Sequence, residues 1–279
     1  MDQILFTIAL ILMLVASCGF VVFIIVQKKR IFSVSYRVLE VGFAFHTAFL
    51  IHNWSTLGIL PVLGLKSALS SFAWFITLVY FIFHKRFGLM VLGSFVTPFV
   101  VVMMILSAMA PGTELIIKPA LKSAWLWVHV LTVFAGDGMF VITFMASIMY
   151  LMQERQIKKK FHGSIYSRLP SLESLDAINR SSLIYGFCFL TIGLITGALY
   201  AQFAMGSYWQ WDPKEVWSMI TWLAYAVLLH GRLTVGWRGE KAALLSIACF
   251  IILLFAFIGG GLLFSSYHSF NSLIGGTGS

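Results

Sequence analysis

Eight apolar stretches, each close to the length of a bilayer crossing, dominate this chain: 4–26, 38–56, 67–84, 88–108, 124–152, 180–203, 215–236 and 242–264. A helix rises ~1.5 Å per residue, so about twenty residues cover the ~30 Å of hydrocarbon in a membrane. Inside hydrocarbon each backbone amide has to be satisfied within the protein, which continuous helices achieve. Charged residues make up only 10% of the chain and hydrophobic ones 60%, against about 25% charged in a soluble domain. The predicted fold is all-α: a polytopic membrane bundle of about eight transmembrane helices, read as a single domain over 1–279. The second run fits least well, because it carries Glu40, His46, His52 and Asn53 and Pro61 follows it. The fifth is long enough to tilt or to project beyond the bilayer.

The net charge of +9 does not point to nucleic acid, because the basic residues sit in short clusters between the runs. Threading the runs back and forth puts fifteen of the nineteen lysines and arginines on one side, leaving Lys66, Lys118, Lys122 and Lys214 on the other. Cytoplasmic loops carry the excess of Lys and Arg. Both termini, the 54–66 and 109–123 loops and the stretch around 204–214 are therefore expected outside, at a bacterial inner membrane or an equivalent energy-transducing one. The basic 153–179 segment is expected inside, with a short amphipathic helix on the membrane surface. The first run lacks a basic leader and a small-residue cleavage site, so it reads as an uncleaved helix. Cys18, Cys188 and Cys249 each lie inside an apolar run, with no CxxC or CxxCH, so nothing suggests a thiol oxidoreductase or a c-type cytochrome.

Residues 200–232, YAQFAMGSYWQWDPKEVWSMITWLAYAVLLHGR, stand apart. Six aromatics fall between Tyr200 and Trp217, where a membrane protein ordinarily has a short polar loop. Trp and Tyr suit the interface for their own sake. Asp212-Pro213-Lys214-Glu215 is also a helix start, with Asp212 as N-cap, proline in the first turn and Glu215 completing a capping box. An aromatic belt accounts for one or two tryptophans, but poorly for Tyr208, Trp209, Trp211 and Trp217 crowded behind Gly206, whose missing side chain lets another group approach the backbone. Such a platform suits a flat, polarisable ligand.

The pattern GSYWxWDPKExWSxITWxxYAxxLHxR resembles the tryptophan-rich "WWD" signature of haem-handling membrane proteins, especially the CcsA (ResC) family of cytochrome c biogenesis, with HemX-like proteins close by. The resemblance is sharp over 199–232. It departs from the family at Met205 and near Tyr200, where tryptophan is usual. It also lacks the acidic residue that typically follows the second span.

The resemblance gives the histidines roles. His129, at the start of the fifth run, and His268, after the eighth, are both expected on the outer side with the aromatic stretch. Two imidazoles there can supply both axial positions of a haem iron; the plainer reading is a helix-to-helix bond for His129 and a solvated His268. In the family an outer histidine precedes the motif and another follows the last span. His230, in the LHxR pattern, matches an intramembrane histidine thought to hold haem in transit, and His46 is a candidate to oppose it where a partner does not. The cofactor-binding residues expected from the resemblance are thus His129, His268, His230, Tyr208, Trp209, Trp211, Asp212, Trp217, Gly206 and His46, with no catalytic residue assigned. Asp137, a carboxylate between two glycines in the fifth run, needs a partner that sequence does not name.

The resemblance implies a protein that carries haem b across the membrane and presents it for attachment to the CxxCH motif of apocytochrome c (system II cytochrome c maturation). It would act as a subunit of a holocytochrome c synthetase with a ResB/CcsB-like membrane subunit. A HemX-like accessory protein affecting haem synthesis, or a transporter of another substrate, remain the alternatives.

Overall fold

The structure is a computed structural model that describes residues 2–58, 60–111, 123–160 and 168–259. Its described residues form helices and no strand. The α-helices are α1 (Asp2–Val26), α2 (Lys29–Leu57), α3 (Leu65–Phe87), α4 (Leu92–Met109), α5 (Ala124–Lys158), α6 (Leu172–Met205), α7 (Pro213–His230) and α8 (Gly239–Leu254). Seven of them are long and apolar enough to cross a membrane. The exception is α7, which opens on Pro-Lys-Glu and ends on histidine; a π-helical turn, Gly231–Val235, continues it. The chain is an integral membrane protein built as an all-α bundle.

Helix α5 is the centre. It packs against α3, α4, α6 and α8, while α1 lies against α2 and α4, and α7 bridges α6 and α8. Contact between α5 and α6 is the most intimate, and glycine makes it so. A Cβ on Gly136 would stand 3.0 Å from the Gly186 carbonyl, and one on Gly193 2.6 Å from a Val133 methyl. Helices in lipid gain little from hiding apolar surface from apolar solvent, so close approach and dispersion hold them together. Tyr225 of α7 lies flat on Phe140 of α5, ring centres 3.6 Å apart. At the other end Arg232 is locked in: its guanidinium pairs with Asp176 at 2.7 Å and donates to Asn179. Asn179 in turn donates to Ser147 of α5. Arg232 is thus a tie between α7 and α6.

Helix α2 is longer than its apolar stretch: Gln27 turns the chain with φ 58°, and α2 starts at Lys29, its basic first turns preceding that stretch. Of the basic 153–179 segment, expected to hold a short surface helix, residues 161–167 lie outside the described residues, and 172–179 are the first turns of α6, capped by Ser171, which accepts from Ser174 N. Lys158 at the end of α5 joins Glu154 and, at 2.7 Å, Glu240 of α8.

Candidate functional site

A cleft of about 310 Å³ opens at the end of the bundle where α5 begins and α6 ends. Its walls come from the α2–α3 connection, α5, α6, the tryptophan-rich loop and the start of α7, with Phe257 behind.

His129 is its chemically distinctive residue. Its Nδ1 lies 2.7 Å from the carbonyl oxygen of Gly193 on α6. A carbonyl only accepts, so Nδ1 carries the hydrogen and donates. Nε2 then keeps its lone pair, on a side chain that lines the cleft. This is how metal-ligating histidines are held: one ring nitrogen donates to a fixed acceptor, which sets tautomer and ring direction and leaves the other to coordinate. The neighbouring residue makes room. A Cβ on Gly197 would sit 2.7 Å from His129 Nδ1 and 2.8 Å from Cε1.

The aromatic loop divides into parts. Tyr208 and Trp209 line the cleft, as do Tyr200 and Met205, the region in which the chain departs from the WWD pattern. Trp211 stands edge-on to Trp209, centroids 5.9 Å apart, with 79% of its surface exposed. Its φ is 58°, a left-handed conformation unfavourable for a bulky side chain. The loop is held there by Glu215, whose Oε2 accepts from Gln210 N at 2.8 Å and Asp212 N at 3.3 Å. Asp212 is buried and accepts from Lys214 N at 2.8 Å, so the expected capping box is present. Trp217 is directed elsewhere, edge-on to Phe255 at 4.5 Å. Gly206 has open space where a Cβ would be, and its φ of 75° closes α6, so the turn itself asks for glycine.

Among the described residues, no other histidine lines the cleft. His46 is fully buried, its Nε2 2.9 Å from Ser70 Oγ, between Phe6 and Phe49. Ser70 is in the second turn of α3, near the cleft end of the bundle, whereas His230 is the last residue of α7, at the far end. The two therefore lie at different depths. His230 is exposed on the face that also presents Leu223 and Val227. His268 lies outside the described residues.

Lys214 lines the cleft and was not among the expected site residues. A signal for it was in the sequence: a lysine in the first turn of a helix opposes the positive end of the helix dipole, so something other than helix stability keeps it there. Among the described residues, no group of three or more His, Cys, Asp or Glu side chains could hold a metal ion. Among its described residues the cleft offers one imidazole, one ammonium, the Glu215 carboxylate and an aromatic wall.

Residues 5–268 match the family described as Cytochrome C assembly protein. Similar curated proteins carry the name cytochrome c biogenesis protein CcsA. That of Chlamydomonas reinhardtii is 35% identical over 231 residues, covering 79% of this chain but 64% of the algal protein, under two thirds of its length. That of Prochlorococcus marinus (strain MIT 9215) is 30% identical over 272 residues, 89% of this chain and 88% of the relative. That of Synechococcus sp. (strain CC9902) is 31% identical over 249 residues, 80% and 82%.

Proposed function

We propose, from the premise that this chain belongs to the cytochrome c assembly protein family, that it receives haem b and holds it in the His129 cleft for attachment to apocytochrome c. The cleft's donor set fits that cargo. His129 offers a fixed, unprotonated Nε2; Tyr208 and Trp209 offer flat polarisable surface; Lys214 offers a charge for a carboxylate. The observation that carries the reading is the 2.7 Å bond from His129 to the Gly193 carbonyl, which occupies Nδ1 and leaves Nε2 to a ligand on a ring that lines the cleft.

His268 is the second axial ligand in this reading, and His230 holds haem in transit near the opposite face. His230 is exposed at its helix end, which suits an imidazole completed by a ligand on a ResB/CcsB-like subunit. The cleft end faces outward, following the distribution of lysine and arginine. Attachment adds each apocytochrome thiol across a haem vinyl group, forming a C–S bond and moving the thiol proton to the other vinyl carbon. The protein's share is to orient the ligand, shield it from water and present its vinyl edge.

The test is co-expression with a ResB/CcsB-like subunit and an apocytochrome carrying CxxCH in cells lacking their own maturation system. The expected result is covalent cytochrome c, with b-type haem on the purified complex. A purified protein with haem but no maturation would favour a HemX-like role; one with no Soret band would favour transport of another substrate.

A further inference from the structure

Helix α3 begins beside the cleft and ends at the opposite end of the bundle in His84, Lys85 and Arg86. Helix α6 runs the other way, from Leu172 to the cleft. Cations in a last turn suit the negative end of the helix dipole, which explains their presence but not how Arg86 lies. Its guanidinium carbon stands 5.9 Å from the centre of the Tyr185 ring on α6 and 5.7 Å from that of Phe87. Both helices pack on α5, so Arg86 and Tyr185 meet across it. A helical side chain leans toward its own N-terminus. Arg86 therefore leans from the basic end back toward the apolar belt, and Tyr185 leans to meet it. A long cation near a helix end ordinarily snorkels the other way, to water.

Several cations at this end have carboxylates of their own. Arg37 pairs with Glu40 at 3.7 Å, Lys158 with Glu154 and Glu240, and Arg232 with Asp176. Lys85 and Arg86 are exposed, and no ion pair among the described residues includes either. The surface beside them is apolar. Ile82, one turn back along α3, is exposed, and from Tyr185 the exposed face of α6 continues through Cys188 to Ile192. Two cations at the head of an apolar seam match an amphiphile with a negative head and a hydrocarbon tail.

We propose that the seam between α3 and α6 binds one anionic phospholipid, with its phosphate on the Arg86 guanidinium, Lys85 beside it, and an acyl chain along Ile82, Tyr185 and Ile192. The planar fork of arginine suits a phosphate, and the Tyr185 ring holds that fork in place. The charge selects the headgroup. Two cations without a carboxylate attract a lipid of net negative charge and repel the ammonium of a zwitterionic one. Bound there, the lipid joins α3 to α6 across α5. The site lies at the far end of the bundle from the cleft, and the proposal does not depend on the haem reading.

The experiment uses the full-length protein, stripped of lipid in detergent. Its melting temperature is followed as phosphatidylglycerol, phosphatidylcholine of the same acyl chains, or inorganic phosphate is added. A ligand that binds only the folded state stabilises it, so phosphatidylglycerol should raise the melting temperature by several degrees, with phosphatidylcholine giving a much smaller rise and inorganic phosphate none. Arg86→Gln should lose most of the phosphatidylglycerol increment, and Arg86→Lys part of it, because an ammonium lacks the fork. Arg37→Gln, which removes a cation already paired with Glu40, should keep the increment. Equal increments from the two lipids, an increment that survives Arg86→Gln, or one that inorganic phosphate reproduces would each overturn the proposal. If Arg86→Gln does not accumulate, native mass spectrometry of wild type with an equal mixture of the two lipids decides. One retained phosphatidylglycerol per protein supports the site, and retention of both lipids alike overturns it.

Discussion

Replacing Gly197 with alanine adds one methyl group at the point where α6 passes the His129 ring. That methyl would sit 2.7 Å from Nδ1 and 2.8 Å from Cε1, against an ordinary contact of 3.4 Å or more, so the ring has to retreat by roughly 0.7 Å. A retreat of that size takes Nδ1 out of its 2.7 Å bond to the Gly193 carbonyl. Overpacking of this kind costs about 1–3 kcal/mol and the lost hydrogen bond about 1 kcal/mol. Since ~1.4 kcal/mol is a factor of ten, a combined cost of about 2–4 kcal/mol at the ligating ring should lower haem affinity by roughly thirtyfold to a thousandfold. The assay is haem per folded protein, from a pyridine haemochrome measurement on monodisperse material. Gly206→Ala is the control. It meets open space and only the strain of φ 75°, so it should lower yield modestly while leaving haem per folded protein unchanged. If Gly197→Ala carries as much haem as Gly206→Ala, with an unshifted spectrum, His129 is not held for ligation by α6.

Trp209→Ala should reduce haem per folded protein, because Trp209 lines the cleft, whereas Trp217→Ala should lower the melting temperature instead, because Trp217 packs on Phe255; equal haem loss in both would show that the cleft does not distinguish them. Arg232→Ala leaves Asp176 and Asn179 without their cation and should cost about 3 kcal/mol, read as a lower melting temperature in detergent with haem stoichiometry intact. In a background with Cys18, Cys188 and Cys249 replaced, Ser207→Cys should react with an impermeant maleimide in intact cells and Lys159→Cys should not; the reverse would place the cleft on the cytoplasmic side.

The start of α7 was legible because it is written in local chemistry. The Asp212–Glu215 capping box was read from sequence and is found with both its bonds. The apolar runs map onto the eight α-helices. Facing was much less legible. In water a helix marks its buried side by polarity, but in a membrane the lipid side and the core side are both apolar, so periodicity carries little information. That is why sequence could not tell that His46 is enclosed against Ser70 while His230 is exposed. Nor could it tell Trp209, in the cleft, from Trp211, which a left-handed turn sends outward. The extent of α2 and α6 beyond the hydrocarbon was missed for another reason: hydropathy marks where a helix meets lipid, and the basic first turns of α2 and the Ser171-capped first turns of α6 lie beyond that limit. Lys214 counted as one more outer charge, although its place in the first turn of α7 was the signal that it serves the cleft.

The measurement that bears most directly on the central claim is the absorption spectrum of purified His129→Gly protein, with and without added imidazole. The glycine removes the ring and leaves a gap beside Gly193 and Gly197 that free imidazole can enter. Wild type is expected to carry low-spin, six-coordinate b-type haem, the variant to lose most of it, and imidazole to restore both the Soret intensity and the low-spin form. A His129→Gly protein with wild-type haem content and spectrum, indifferent to imidazole, would contradict it.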